Sequence, residues 1–141
     1  WDPIYELKKT VSVPVIGNGD ICTPQDAVDK INNLDGVMVG RATWGNPWLI
    51  KDICDVLIRG KTPKKLTVDT LSFEEKMPVI LEHCELSVRL KGEKRGMMEM
   101  RKHLANYIKG LEGARELRAK LVRVESIDDV KKILATALSA S

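Results

Sequence analysis

Val13-Pro14-Val15-Ile16-Gly17-Asn18-Gly19-Asp20 and, fifteen positions on, Asp35-Gly36-Val37-Met38-Val39-Gly40-Arg41 decide how this chain is read. Each is a short apolar run that ends in glycine and a polar residue. Runs of this kind are typical of strands buried on both faces, as in parallel sheets. Between them, Thr23-Pro24 marks a helix start, with Thr23 at the N-cap and Pro24 at N1. The helix Gln25–Asn33 should turn Ala27, Val28 and Ile31 inward. Asp2–Thr10 reads as an earlier short helix, with Ile4 and Leu7 on one face. Leu49–Ile58 reads as a later one, stopped at Gly60. Helix, strand, helix, strand, helix implies parallel strands joined by crossover helices. Two parallel strands cannot bury their own faces. The reading is therefore of a sheet completed elsewhere, and exposed edges should invite self-association, strand swapping or disorder in the first 50 residues.

The strand ends carry the chemistry. In parallel α/β folds ligands bind at the carboxyl ends of strands, and in eight-stranded barrels the last two loops often hold a phosphate. Gly19 and Gly40 let backbone N–H groups approach phosphate oxygens, and Arg41 adds a forked cation. Asn18 and Asp20 could orient the loop or touch other parts of a ligand. The competing reading is two ordinary turns. Pairing on consecutive strands favours the phosphate cradle. Trp44 and Trp48 flank the second strand end, where they could line a flat ligand or simply pack.

Beyond Gly60 the composition changes. Residues 61–71 read as a linker, with Pro63, three lysines and no apolar period. Residues 72–141 read as helices throughout. Ser72 and Glu75 form a capping box for a helix reaching about Lys91, within which Pro78 could produce a kink. Lys94–Ile108, Ala114–Val124 and Ser126–Leu138 follow. On Lys94–Leu111 the set Met97, Met100, Leu104, Tyr107, Ile108 and Leu111 forms one apolar stripe at helical spacing. Arg95, Lys102 and Lys109 recur every seven residues on nearly the opposite side, with Arg101 and His103 flanking the stripe, where either could instead brace the bundle. Arg115, Arg118 and Arg123 could extend that surface.

The charge distribution points the same way. Residues 1–70 balance, with nine Lys/Arg and nine Asp/Glu, whereas residues 89–123 hold eleven Lys/Arg against four Asp/Glu. One basic segment on a neutral chain suggests a face for a polyanion, read through phosphates and not base edges; a solvated helix face is the alternative. Cys22, Cys54 and Cys84 make no CxxC pair and no metal cluster with His83 or His103, as expected of free thiols in a reducing cytoplasm. No apolar run approaches membrane-spanning length, and no signal peptide is evident. Trp1 stands where an initiator methionine would be expected, so the chain is expected to be a piece of something longer.

The ordered combination of Pro14–Asp20, Asp35–Ala42 and Gly45–Trp48 resembles the end of the catalytic barrel of bacterial tRNA-dihydrouridine synthases, most like the DusB type. Met100-Arg101-Lys102-His103, Tyr107, Lys109-Gly110 and Ala114–Arg118 resemble the family's helical tail. The resemblance spans nearly the whole chain. It implies the last two βα units of a TIM (β/α)8 barrel over residues 1–60, followed by a helical tRNA-binding bundle over residues 72–141. It also implies FMN as cofactor, NADPH as reductant and reduction of the C5–C6 bond of a tRNA uridine. It places the FMN phosphate on Asn18, Gly19, Asp20, Gly40 and Arg41. It assigns RNA contact to the basic helix, with Arg95, Arg101, Lys102, His103, Lys109, Arg115 and Arg118 as candidates. The family's catalytic cysteine lies in a motif that surrounds none of the three cysteines, so no catalytic residue and no metal ligand is expected here. The alternatives are a stand-alone helical RNA-binding module and a piece of another flavin barrel. The basic tail disfavours the latter, because a small-molecule dehydrogenase needs no grip on a polyanion.

Overall fold

The structure, a computed structural model, describes residues 1–61 and 65–138. They divide into two compact units, Trp1–Thr70 and a helical unit beginning at Leu71.

In the first unit α1 (Asp2–Thr10) leads to β1 (Ile16–Asn18), α2 (Pro24–Ile31), β2 (Gly36–Met38), a 3-10 turn (Arg41–Thr43), α3 (Trp48–Leu57) and a one-turn helix α4 (Thr67–Thr70). β1 and β2 pair in parallel with Gly17 opposite Val37, the arrangement that the intervening helix requires. The cap of α2 forms as its sequence implies. Asp26 N–H donates to Thr23 Oγ1 at 3.1 Å, and Asp26 takes the Thr23 N–H at 2.8 Å. A small core of Ile21, Ala27, Leu49 and Ile53 sits beneath the strand ends, with Trp1, Val37, Val39 and Ala42 packed against it.

Four expectations about this unit are corrected. The strands are only three residues long, and they are not buried on both faces. Ile16 and Met38 are 56% and 55% exposed, because the described sheet has two strands only. Both strands are nonetheless formed, so local disorder, one of the three outcomes expected of exposed edges in the first 50 residues, is not what the structure shows. Leu7 and Val28 are exposed as well, and of the expected α2 face Ala27 alone is fully buried. Finally, the stretch read as a linker contains α4. Its start is tied back to α3: Asp52, buried, accepts the Thr67 N–H at 2.9 Å and the Thr67 hydroxyl. Periodicity could not reveal this, since Asp52 looks like a surface residue until its partner is known. Residues 62–64 of that stretch lie outside the described residues.

The second unit comprises α5 (Phe73–Lys91), α6 (Glu93–Tyr107), α7 (Ala114–Leu121) and α8 (Ile127–Leu138). The Ser72/Glu75 capping box forms, and α5 runs through Pro78 without a break. The apolar stripe of α6 is the core. Met97, Met100, Leu104, Tyr107 and Ile108 are all buried, alongside Ile80, Cys84, Leu121, Val124, Val130 and Leu134. Each such side chain contributes about 1.5–3 kcal/mol relative to exposure. The buried positions of α5 are Ile80, Cys84 and Ser87, and the Ser87 hydroxyl donates to Gly96 O at 3.1 Å. Gly96 permits this crossing: a Cβ there would lie 2.8 Å from Ser87 O. α7 stops at Leu121, three residues short of expectation, and a reciprocal Ser126–Asp129 box opens α8.

Candidate functional site

The two strand ends converge. Asn18, Gly19, Asp20, Ile21 and Cys22 from one, and Gly40, Arg41 and Ala42 from the other, line one concavity of about 670 Å³. Thus all five residues singled out for a phosphate come together. Gly19 has φ +147°, which disfavours any side chain, and Asp20 is held at φ +45°, a region where Asp is tolerated better than most residues. A Cβ at Gly40 would meet nothing within 4 Å, so the space above it is open to a ligand. Arg41 and Asp20 reach across the mouth to 3.8 Å, with side chains 85% and 87% exposed. At that exposure the pair is weak, and an anion can recruit the guanidinium away from the carboxylate. The floor is Ile21, 4% exposed and part of the core, so the loop is pinned from below.

The donor set fits a phosphate: a forked cation, open space above Gly40, a Gly19 backbone at positive φ, and no aromatic side chain among the lining residues to hold the flavin ring itself. Trp44 is 45% exposed and Trp48 half-buried, and neither lines this concavity. One cation of this corner escaped the sequence reading. Lys30, on α2, donates from Nζ to Asp20 O at 2.6 Å and approaches Gly19 O at 3.5 Å. Its position in the last turn of an ordinary amphipathic helix gave no signal, because the contact depends on the left-handed turn ten residues earlier.

On the helical unit the basic candidates separate. Lys109, Arg115 and Arg118 line one hollow of about 480 Å³ where α6 ends and α7 begins, with Asn106 and Gly110 and no carboxylate. Arg95 is exposed but donates to Glu99 at 3.1 Å, and Lys91 also pairs with Glu99. Arg101 is half-buried and gives its Nε hydrogen to Val124 O at 3.0 Å, so it braces α6 against the α7–α8 connection. Arg101 lines a different, mixed-charge hollow with Glu93, Lys94 and Asp129. Lys102 is exposed. His103 is half-buried, with its ring 5.0 Å from that of His83, and His83 Nδ1 lies 3.2 Å from the Tyr107 hydroxyl. Burial first, then neighbouring positive charge, holds both imidazoles below the ordinary histidine range. Burial likewise pushes Tyr107 up to about 12 and Cys84 up to about 11, which makes Cys84 an inert packed thiol. No group of three or more metal-ligating side chains occurs among the described residues, nor is any described helix long and apolar enough to cross a membrane.

A parallel βα pair with a glycine-and-arginine corner, followed by a helical unit with a cationic hollow, defines an α/β unit with an appended helical module. The family model described as Dihydrouridine synthase (Dus) matches residues 1–141, and the chain belongs to that family. It is 36% identical to tRNA-dihydrouridine synthase B of Pseudomonas syringae pv. tomato over 91% of this chain and 37% of that protein. It is 34% identical to the probable tRNA-dihydrouridine synthase 1 of Synechocystis over 100% of this chain and 39% of the relative. A probable tRNA-dihydrouridine synthase of Mycobacterium leprae is 34% identical over 95% of this chain and 34% of its own length. The chain thus spans little more than a third of the length of these relatives.

Proposed function

We propose that this chain is the C-terminal part of an FMN-dependent tRNA-dihydrouridine synthase: the last two βα units of the barrel, which hold the FMN phosphate, and the helical domain that grips tRNA. The observation that carries the reading is the convergence of Asn18, Gly19, Asp20, Gly40 and Arg41 on one concavity in a chain whose whole length matches the family. When bound, FMN supplies the redox-active ring that the reduction of a uridine needs. The residues of this chain would bind and orient its phosphate. Arg41 would supply charge and two parallel donors, Gly19 and Gly40 would allow close approach, and Asn18 and Asp20 would set the loop. The exposed Ile16 and Met38 faces fit strands that would pack against the rest of a barrel.

For RNA, the surroundings of the basic side chains favour some candidates over others. Lys109, Arg115 and Arg118 form the best phosphate-facing group, and Lys102 extends it along α6. Arg95 is partly neutralised by Glu99, while Arg101 and His103 serve first as packing. Such contacts would track phosphates and give salt-dependent binding without base readout.

The test is an amide NMR titration of the 141-residue chain with FMN and, separately, with riboflavin, which lacks the phosphate. The reading expects FMN to move the signals of Asp20, Ile21, Gly40 and Arg41, and riboflavin to leave them in place. Equal responses to both ligands, or responses confined to other residues, overturn it. The same chain incubated with tRNA, FMN and NADPH should form no dihydrouridine, since no catalytic cysteine motif is present.

A further inference from the structure

We infer that Lys30 is a positioning residue for the phosphate corner: it turns the Gly19–Ile21 backbone so that its N–H groups face the ligand. The inference rests on the phosphate reading above and deepens it. Lys30 Nζ lies 2.6 Å from Asp20 O and 3.5 Å from Gly19 O, so one ammonium gathers two successive carbonyls. A peptide unit is planar and trans, with its C=O and the following N–H antiparallel. Fixing the carbonyls of Gly19 and Asp20 toward Lys30 therefore sends the N–H groups of Asp20 and Ile21 the opposite way. Asp20 and Ile21 both line the concavity, and Lys30 does not. Among the described residues neither N–H donates to a protein acceptor. The two left-handed residues, Gly19 and Asp20, are the ones that Lys30 holds. Asp20 at φ +45° is tolerated better than most residues but still carries a backbone cost, which the Lys30 contact helps offset.

Lys30 is itself built in. Its backbone carbonyl accepts the Tyr5 hydroxyl at 3.0 Å, tying α2 to α1, and its ammonium stands 5.6 Å from the centre of the Trp1 ring. Asn33, one turn on, donates to Tyr5 O at 3.3 Å. The ammonium thus has a fixed origin and acts on the far side of the loop from the ligand. Its charge would also draw positive electrostatic potential behind the N–H groups, reinforcing their pull on an anion.

The test compares the wild-type 141-residue chain with Lys30→Met, which keeps the aliphatic stem, and Lys30→Arg, which restores a donor. Two readouts are taken: backbone order of Gly19, Asp20 and Ile21 from heteronuclear NOE, without ligand, and an amide titration with inorganic phosphate. Lys30→Met should lower the NOE of Gly19 and Asp20 and weaken phosphate binding at the Asp20 and Ile21 amides by roughly tenfold. Lys30→Arg should recover most of both. Unchanged loop order in a folded Lys30→Met variant overturns the inference, even if affinity falls through lost charge alone. Unchanged phosphate affinity with a loosened loop overturns it too. A wild-type chain that is blind to phosphate, while Lys30→Met still loosens the loop, overturns the reading of the site and leaves Lys30 a brace without a ligand. The arms therefore separate the two failures.

Discussion

Gly96→Ala pits two opposite effects against each other. In an exposed helix interior this change stabilises by about 1 kcal/mol, because alanine loses less backbone entropy than glycine. At Gly96 the added Cβ would meet Ser87 O at 2.8 Å, Ser87 C at 2.9 Å and Val88 Cα at 2.9 Å. All three are backbone atoms of α5, so no side chain can rotate away. The helices must part by roughly half an ångström to restore ordinary contact. That movement also stretches the buried Ser87 Oγ to Gly96 O bond, worth about 1 kcal/mol, now 3.1 Å. Overpacking of this kind costs about 1–3 kcal/mol. The net expectation is destabilisation of the helical unit by about 1–2 kcal/mol, a fall in Tm of roughly 4–15 °C for a unit of this size. The measurement is urea unfolding read by two probes. All three tryptophans lie at positions 1, 44 and 48, so their fluorescence reports the first unit alone, while far-UV circular dichroism reports both. The dichroism transition should move to lower urea and the fluorescence transition should stay. Ala119→Gly on exposed α7 calibrates the propensity contribution, with an expected loss of about 1 kcal/mol. A Gly96→Ala chain as stable as wild type, or more so, would refute the close-crossing argument.

Three further predictions follow from the same contacts. Asp52→Ala leaves the Thr67 N–H and hydroxyl without their buried acceptor and should cost about 1–3 kcal/mol, seen as loss of helical NMR shifts at Thr67–Thr70; intact shifts would count against the tie. His83 and His103 have folded pKa values below the unfolded one, so the unfolded chain binds more protons in the window beneath about 6.5. Their neutral packing stabilises the helical unit above that value and the contribution is lost as pH falls through the folded pKa values, so unfolding midpoints from pH 7.5 to 5 should drop in wild type and less in a His83→Gln/His103→Gln chain. Arg115→Gln/Arg118→Gln should reduce the slope of log affinity against log salt for tRNA by about 1–2, whereas Arg95→Gln, already paired with Glu99, should barely change it in fluorescence-anisotropy titrations.

Much of this was legible in the residues because it depends on local rules. Thr23-Pro24, Ser72/Glu75 and Ser126/Asp129 cap helices within three residues of themselves, and the stripe from Met97 to Ile108 needs only helical geometry to become a core. The convergence of Asp20 and Arg41 was also accessible, since a parallel pair with one crossover helix puts both carboxyl ends on one side. What stayed hidden depends on partners far along the chain. Lys30, Asp52 and Gly96 act through residues 10, 15 and 9 positions away, and each looks unremarkable in its own helix. For Arg101 the flanking position allowed either a brace or an RNA contact, and only the Val124 carbonyl, which no spacing rule identifies, decides for the brace. Strand burial was misjudged for a different reason: Ile16 and Met38 have the composition of two-sided burial, and composition does not say which chain supplies the cover.

The most direct test of the central claim is the comparison of FMN with riboflavin on the 141-residue chain. Phosphate-dependent shifts centred on Asp20, Ile21, Gly40 and Arg41, abolished in an Arg41→Met chain that still folds, are the predicted result. Identical behaviour of the two flavins, or an Arg41→Met chain that responds to FMN as the wild type does, would contradict it.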